Sequence, residues 1–274
     1  MEEYAGFKTV QITDDNADAI YGEKNPDAFG LLNGEYLVVT DQNGEPTDTF
    51  RREGDTLSPV GFRTVNSAYL GAIKPRNVHQ KLAIHMLFSP NTVKVLTGPF
   101  GSGKDLLMCS AAVELLEKER FEKIVYVRNN IEVKDSRPIG FLPGSSDDKL
   151  LPFAMPLADH VGGTEGLAHM ISHDMIEVTH LGFIRGRDIR NSVILCSEAE
   201  NMTKQHIQLL IGRVGEGSEL WINGDMKQCD GRVFAENSGL MTAVDKLKGH
   251  PLFGYVRLMK TERSETAAMA DLLD

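Results

Sequence analysis

The feature that most constrains this chain is an apolar strand, a glycine-rich loop and a helix in direct succession. The run Val93–Thr97 precedes the loop, and the helical stretch 106–116 follows it. Glycines in such a loop let consecutive backbone N–H groups and a helix N-terminus face one anion, and a lysine adds a positive charge. The alternative is a glycine-rich turn that only caps a helix. We predict a phosphate-binding loop made by Gly98, Pro99, Phe100, Gly101, Ser102, Gly103, Lys104 and Asp105.

A second motif stands at the end of the apolar run 192–196, where Ser197 and Glu198 follow the strand. In phosphate-loop ATPases such a strand end normally carries Asp and then Glu, which hold Mg²⁺ and polarise the attacking water. Here Ser197 replaces the Asp, while Asp105 stands where the loop normally has Ser or Thr. The site thus keeps one hydroxyl and one carboxylate, but each stands at the position where the other is usual. We predict a swapped magnesium site of Asp105 and Ser197, with Glu198 polarising water.

Two further observations bear on this nucleotide site. A third apolar strand, Glu219–Asn223, is followed by a polar turn that contains Gln228. An amide at that strand tip is suited to orienting water and sensing the γ-phosphate of ATP. The alternative for the whole site is a degenerate one that binds nucleotide but hydrolyses it poorly, because Asp105 brings a negative charge beside the triphosphate.

The order of predicted elements indicates an α/β fold. From Lys74 onward, helices alternate with short β-branched runs, which is typical of a parallel sheet covered on both faces. The other predicted strands of this sheet are Lys123–Val127, Met175–His180 and Tyr255–Leu258. Ahead of it, the strand-like run Glu35–Thr40, a turn, and the stretch near 47–50 predict a small β-rich segment. We therefore divide the chain into residues 1–70 and residues 71–274.

Charge and composition limit the partners. The net charge is −10, and residues 1–70 carry 13 acidic and 5 basic residues. This balance argues against a protein that coats nucleic acid by bulk attraction, so any such contact must be local. Three cysteines without a CxxC pair, an acidic start and no apolar run of the ~20 residues that a membrane helix needs predict a cytoplasmic protein with no membrane partner.

With these motifs assembled, residues 71–274 resemble the PhoH-like family of phosphate-loop ATPases. The resemblance also rests on the stretches 139–144, 149–153, 183–187, 211–218 and 262–264. It implies a RecA-like core, similar to the first such domain of superfamily 1 helicases, that binds and hydrolyses ATP with Mg²⁺. It further implies that Gln80 reads adenine and that Arg263 contacts the γ-phosphate. Longer members carry an N-terminal nuclease domain that is absent here, so RNA cleavage is not expected.

The same resemblance implies partners. It suggests a homo-oligomeric ring, with a hexamer as the candidate assembly, and coupling to RNA or single-stranded DNA. The family's Arg-Pro becomes Arg128-Asn129 here, and its glutamine in the metal-strand motif becomes Glu200; both departures affect the nucleic-acid path. Three functions stay open at this point: a nucleic-acid-coupled ATPase, a nucleotide-binding interaction protein that does not hydrolyse, and, as the weakest, a kinase-like transferase.

Overall fold

A computed structural model describes residues 4–128, 154–226 and 238–262. Within these ranges the strands are β1 (Phe7–Gln11), β2 (Tyr36–Thr40), β3 (Pro46–Glu53), β4 (Thr56–Pro59), β5 (Val65–Ser67), β6 (Gly71–Ile73), β7 (Val93–Thr97), β8 (Lys123–Arg128), β9 (Ile176–His180), β10 (Ser192–Ser197), β11 (Glu219–Gly224) and β12 (Phe253–Arg257). The α-helices are α1 (Asp14–Ala17), α2 (Val78–Leu87), α3 (Lys104–Glu117), α4 (Met155–Ala158), α5 (Gly163–Ser172), α6 (Lys204–Ile211) and α7 (Gly239–Leu247).

Six of the strands form a parallel sheet in the order β12-β7-β11-β10-β8-β9. Every residue of β10 and β11 is buried, as expected of parallel strands that are covered on both faces. Strand β11 separates the phosphate-loop strand β7 from β10. The carboxyl ends of β7, β11, β10 and β8 consequently lie side by side at one edge of the sheet, where ligands bind in open α/β folds.

Two hydrophobic cores hold the helices against this sheet. On one face, α2 and α3 pack through residues such as Leu82 and Met108, together with Trp221 of β11. On the other face, α6 and α7 pack through residues such as Ile207 and Leu240. The fold is therefore a three-layer arrangement around a parallel sheet, which confirms the predicted α/β class. The six strands of the sheet agree with the predicted ones to within about two residues at each end.

The N-terminal residues form a separate four-stranded sheet in the order β1-β2-β3-β4, with its own small core around Leu37 and Phe50. It meets the large sheet at Gly6. The Gly6 carbonyl accepts a hydrogen bond from Tyr36 N–H at 3.0 Å, and the neighbouring Ala5 carbonyl accepts one from Arg257 N–H at 2.9 Å. A Cβ at Gly6, whose φ is +78°, would lie 2.0 Å from the Tyr255 carbonyl oxygen, so no other residue fits this junction.

The predicted strands of the N-terminal segment correspond to β2 and β3. The structure adds β1, β4 and the antiparallel pair β5–β6, which links residues 65–67 to residues 71–73. The division of the chain at residue 70 stays a prediction. None of the helices in the three described ranges is long and apolar enough to span a bilayer.

Candidate functional site

The predicted phosphate loop connects β7 to α3. Gly103 precedes the helix with a φ of +89°, and a Cβ there would come within 3.1 Å of Gln80 Nε2. At the other end of the loop, a Cβ on Gly98 would lie 2.8 Å from Leu258 Cβ and 2.8 Å from Ser102 Oγ. Left-handed backbone and close packing both favour glycine at these positions. The loop is thereby folded back over the N-terminus of α3, a helix of 14 residues.

The side chain of Lys104 lies along this loop. The residue is 8% exposed, and its Nζ lies 3.5 Å from the carbonyl oxygen of Pro99. The segment after β12 passes over the same loop, because Glu262 N–H donates to the Gly101 carbonyl at 2.9 Å and Thr261 Oγ1 donates to the Phe100 carbonyl at 3.4 Å. Lys104 thus places a largely buried cation beside the loop.

Gln80 joins α2 to the loop. It is 5% exposed; its Nε2 donates to the Ser102 carbonyl at 2.9 Å, and its Oε1 accepts from Arg76 N–H at 2.9 Å. Both ends of the amide are therefore engaged with the backbone. In this arrangement Gln80 shapes the phosphate loop, while the adenine contact implied by the resemblance stays a prediction.

The structure brings together the two predicted magnesium ligands. Ser197 Oγ, at the end of β10, donates to Asp105 Oδ1 at 2.9 Å. The neighbouring strand contributes Asn223, whose Nδ2 donates to the same Oδ1 at 2.8 Å. Asp105 Oδ1 thus accepts two hydrogen bonds. Asn223 was missed in the sequence, although a lone asparagine ending the apolar run of β11 was the available signal.

Glu198 follows Ser197 with a left-handed backbone, φ 58°. Its N–H donates to Asn223 Oδ1 at 3.3 Å. Its carboxylate is bound by Arg128 at the end of β8, with Nε donating to Oε2 at 3.0 Å and the NH2 nitrogen donating to Oε1. The predicted water-polarising carboxylate is therefore paired with an arginine that motif spacing alone did not connect to it.

Glu200 is a further carboxylate at this strand end. Its Oε2 accepts from Asp225 N–H at 3.1 Å. Burial raises the pKa of Glu200 to about 7. The backbone hydrogen bonds and the charge of Lys104 oppose this rise, while the charge of Glu198 adds to it. Because a carboxyl group with such a pKa is partly protonated near neutral pH, Glu200 can donate as well as accept a hydrogen bond.

These residues fit a nucleotide with magnesium. The hydroxyl of Ser102, within the loop, is buried and has no hydrogen-bond partner among the described residues. This hydroxyl therefore does not link the loop to another of those residues. Lys104 and the start of α3 supply positive potential for phosphates. Asp105 and Ser197 supply the hard oxygen donors that Mg²⁺ prefers. Two predicted residues, Gln228 and Arg263, lie outside the described ranges.

Comparison with known proteins shows which family this chain resembles. The family model for PhoH-like protein matches residues 72–271. Protein PhoH2 of Bacillus subtilis (strain 168) is 30% identical over 292 aligned positions, which cover 99% of this chain and 65% of that protein. A PhoH-like protein of Mycobacterium tuberculosis (strain H37Rv) is 32% identical over 179 residues, 64% of this chain and 50% of that protein.

Among solved structures, the UvsW helicase from bacteriophage T4 is similar with a TM-score of 0.43 and 13% identity, over 71% of this chain and 63% of that one. The Pif1 helicase from Candida albicans gives a TM-score of 0.40 at 16% identity, over 73% and 44% of the two chains. The chain spans about half to two thirds of the length of the curated relatives above. From the extent of the family match, this chain belongs to the PhoH-like family of proteins.

Proposed function

We propose that the chain is a magnesium-dependent ATPase that cleaves the bond between the β- and γ-phosphates and couples this reaction to RNA or single-stranded DNA. One observation carries the proposal: the phosphate loop leads into α3, whose Asp105 shares one hydrogen-bonded group with Ser197 and Glu198 at the end of β10. This grouping joins a phosphate-binding cation, hard oxygen ligands and a candidate base.

Each residue has a defined task in the proposed reaction. Lys104 and the loop N–H groups bind the β- and γ-phosphates, and Asp105 and Ser197 hold the metal directly or through water. Mg²⁺ at this position would neutralise charge that develops on the phosphate oxygens. Glu198 accepts a proton from the water that attacks the γ-phosphorus, and ADP leaves with the electrons of the broken P–O bond. Gln228 and Arg263 keep their predicted role at the γ-phosphate.

The partner and assembly proposals rest on the family resemblance. A single RecA-like core offers one side of an ATP site, so we propose that a neighbouring copy in a homo-oligomeric ring, for which six subunits is the candidate number, completes it. A cytoplasmic location completes the proposal. Sedimentation with and without ATP tests the assembly, because a chain that stays monomeric in both conditions contradicts it.

The decisive experiment measures phosphate release from ATP with Mg²⁺, with and without poly(U) or oligo(dT). Lys104→Ala should remove ATP binding, and Glu198→Gln should retain binding while losing turnover by about 100-fold or more. Glu165→Gln, an exposed glutamate on α5, is the matched control and should behave as wild type. Stimulation by a single-stranded polymer would support the nucleic-acid coupling.

A second candidate is a nucleotide-binding interaction protein that does not hydrolyse ATP. It is favoured by Asp105, a carboxylate in the first turn of the phosphate-loop helix, because this residue puts a negative charge beside the proposed phosphate site. Binding of ATP without turnover in every condition would select this candidate over the ATPase.

A further inference from the structure

The carboxylate of Glu198 is held by the guanidinium fork of Arg128. The Nε of Arg128 donates to Oε2 at 3.0 Å, and its NH2 nitrogen donates to Oε1. Both oxygens of the proposed base are thus engaged by one cation. This planar two-point geometry is the strong form of an arginine–carboxylate pair.

The pairing follows from the register of the sheet. Strands β10 and β8 are parallel neighbours in which Ser197 lies opposite Arg128. Glu198 is the next residue, and its backbone is left-handed, which is unusual for a residue with a Cβ. With this backbone conformation, its side chain lies against Arg128 of β8. The hydrogen bond from Glu198 N–H to Asn223 Oδ1 helps to hold this backbone. The register of the sheet and the left-handed backbone of Glu198 together place the carboxylate beside Arg128.

Stability does not account for this pair. The side chains of Arg128 and Glu198 are 22% and 44% exposed, and ion pairs open to solvent contribute little to folding. A left-handed backbone at a non-glycine residue is itself unfavourable. Strain of this kind is retained where the surrounding structure imposes it, and it is concentrated at functional sites. The pair therefore has a role in the proposed reaction more readily than in folding.

We propose that Arg128 is a positioning residue that withholds the Glu198 carboxylate from the attacking water, and that the fork must open before ATP is hydrolysed. The inference rests on the proposed ATPase function. A general base must accept a hydrogen bond from the water before it takes the proton. While the fork occupies both oxygens, water competes with a charged, bidentate donor for them. Arg128 thus sets the fraction of molecules that are competent for hydrolysis.

The test compares Arg128→Gln and Arg128→Lys with wild type in Mg²⁺-dependent ATP hydrolysis. Glutamine removes the charge and the fork, so we expect kcat to rise about 3- to 10-fold with KM changed less than about twofold. Lysine keeps the charge as a single ammonium without the fork, so it should give an intermediate increase. Arg190→Gln is the control, because Arg190 belongs to an exposed pair with Asp188 that precedes β10, at the opposite end of that strand from Glu198.

A double variant shows whether the gain acts through the base. Arg128→Gln combined with Glu198→Gln should be as inactive as Glu198→Gln alone. A kcat for Arg128→Gln that is unchanged or lower than wild type, in a protein that melts cooperatively, overturns the inference. If Arg128→Gln does not fold, Arg128→Lys decides: a kcat at or below that of wild type overturns the inference.

Failure of the proposed function gives a different pattern. Wild-type turnover that Glu198→Gln abolishes, together with no gain in the Arg128 variants, leaves the ATPase proposal standing and removes the inference alone. Binding of a fluorescent ATP analogue without turnover in wild type or in any Arg128 variant removes both. Turnover that is absent in wild type and present in Arg128→Gln would support the withheld-base inference most directly.

Discussion

The hydroxyl of Ser197 donates a hydrogen bond to Oδ1 of Asp105 at 2.9 Å, joining the end of β10 to the first turn of the phosphate-loop helix. The two residues occupy each other's usual places in a phosphate-loop ATPase, and they are in direct contact. A substitution of either residue alone should therefore disturb the side chain of the other.

The first prediction concerns this exchange. Asp105→Thr leaves two hydroxyls and no carboxylate, and Ser197→Asp places two carboxylates within hydrogen-bond distance, where they repel each other. We expect each single variant to lose at least about tenfold in kcat, and the double variant to recover most of that loss. Steady-state phosphate release measures this. A double variant as inactive as the singles would show that the two positions do not compensate.

The second prediction separates two roles for Gln80. Gln80→Met removes both hydrogen bonds of its amide, including the one to the Ser102 carbonyl. If Gln80 acts by shaping the loop, binding of ATP and of inorganic tripolyphosphate should weaken by the same factor, about tenfold. Competition against a fluorescent nucleotide measures both affinities.

The exposed Gln208 on α6 provides the control for that experiment: Gln208→Met should change neither affinity. A loss for ATP with unchanged binding of tripolyphosphate would instead support the adenine contact that the family resemblance implies for Gln80.

The third prediction follows from the raised pKa of Glu200. Burial raises this pKa from 4.5 to about 7 in the folded protein, so between these values the native state binds more protons than the unfolded state. The contribution of Glu200 to stability is therefore present in acid and is lost as the pH rises through 7. From pH 5 to pH 8, the free energy of unfolding of wild type should fall relative to Glu200→Gln by about 2 kcal/mol, allowing for partial exposure.

Urea unfolding of both proteins at several pH values measures this difference. Glutamine can still accept the hydrogen bond from Asp225 N–H, so the substitution removes the titration with little change in contacts. The exposed Glu165 on α5 serves as the control, and Glu165→Gln should show no comparable pH dependence. A difference between wild type and Glu200→Gln that stays constant from pH 5 to pH 8 would contradict the assignment.

The fourth prediction concerns a buried ion pair at the opposite edge of the sheet. Lys94, 1% exposed, donates to Glu219 Oε2 at 2.6 Å and to the Leu87 carbonyl at 2.7 Å. Trp221 Nε1 also donates to Glu219 Oε2, at 2.8 Å. Lys94→Met should destabilise the fold by about 3 kcal/mol. It removes the buried cation of Glu219 and leaves that carboxylate only Arg120, whose exposed guanidinium lies 3.6 Å away.

A double-mutant cycle checks that cause. Glu219→Gln keeps an acceptor for Trp221, so Lys94→Met combined with Glu219→Gln should be more stable in urea than Lys94→Met alone. If the two destabilisations simply add, the charge of Glu219 is not the reason for the cost.

Much of the fold could be predicted from local sequence. The strands of the large sheet are short apolar runs between helices. The glycines and the lysine of the loop are recognisable because a phosphate-binding loop needs a flexible backbone and a positive charge at these positions. β1 was not predicted, because Phe7–Gln11 is a strand through its pairing with β2. That pairing depends on the approach of two backbones at Gly6, a contact that local composition does not encode.

The candidate site divides in the same way. The positions of Lys104, Asp105, Ser197 and Glu198 in their motifs pointed to a swapped nucleotide site, and the structure adds the contact between Asp105 and Ser197. Arg128 was noted in the sequence only as a departure from the family's pattern. Its hold on Glu198 depends on β8 lying beside β10, although the two strands are far apart in the chain.

The sequence by itself determined which segments are the strands of the large sheet, where the phosphate loop lies and which polar residues end those strands, because periodicity, glycine and side-chain chemistry act over a few residues. Tertiary structure alone decided which of those strand ends are neighbours. The order β7-β11-β10-β8 places Asn223 between Asp105 and Glu198, and Arg128 against Glu198. Pairing between parallel strands is set by packing of the whole sheet, and no local pattern specifies it.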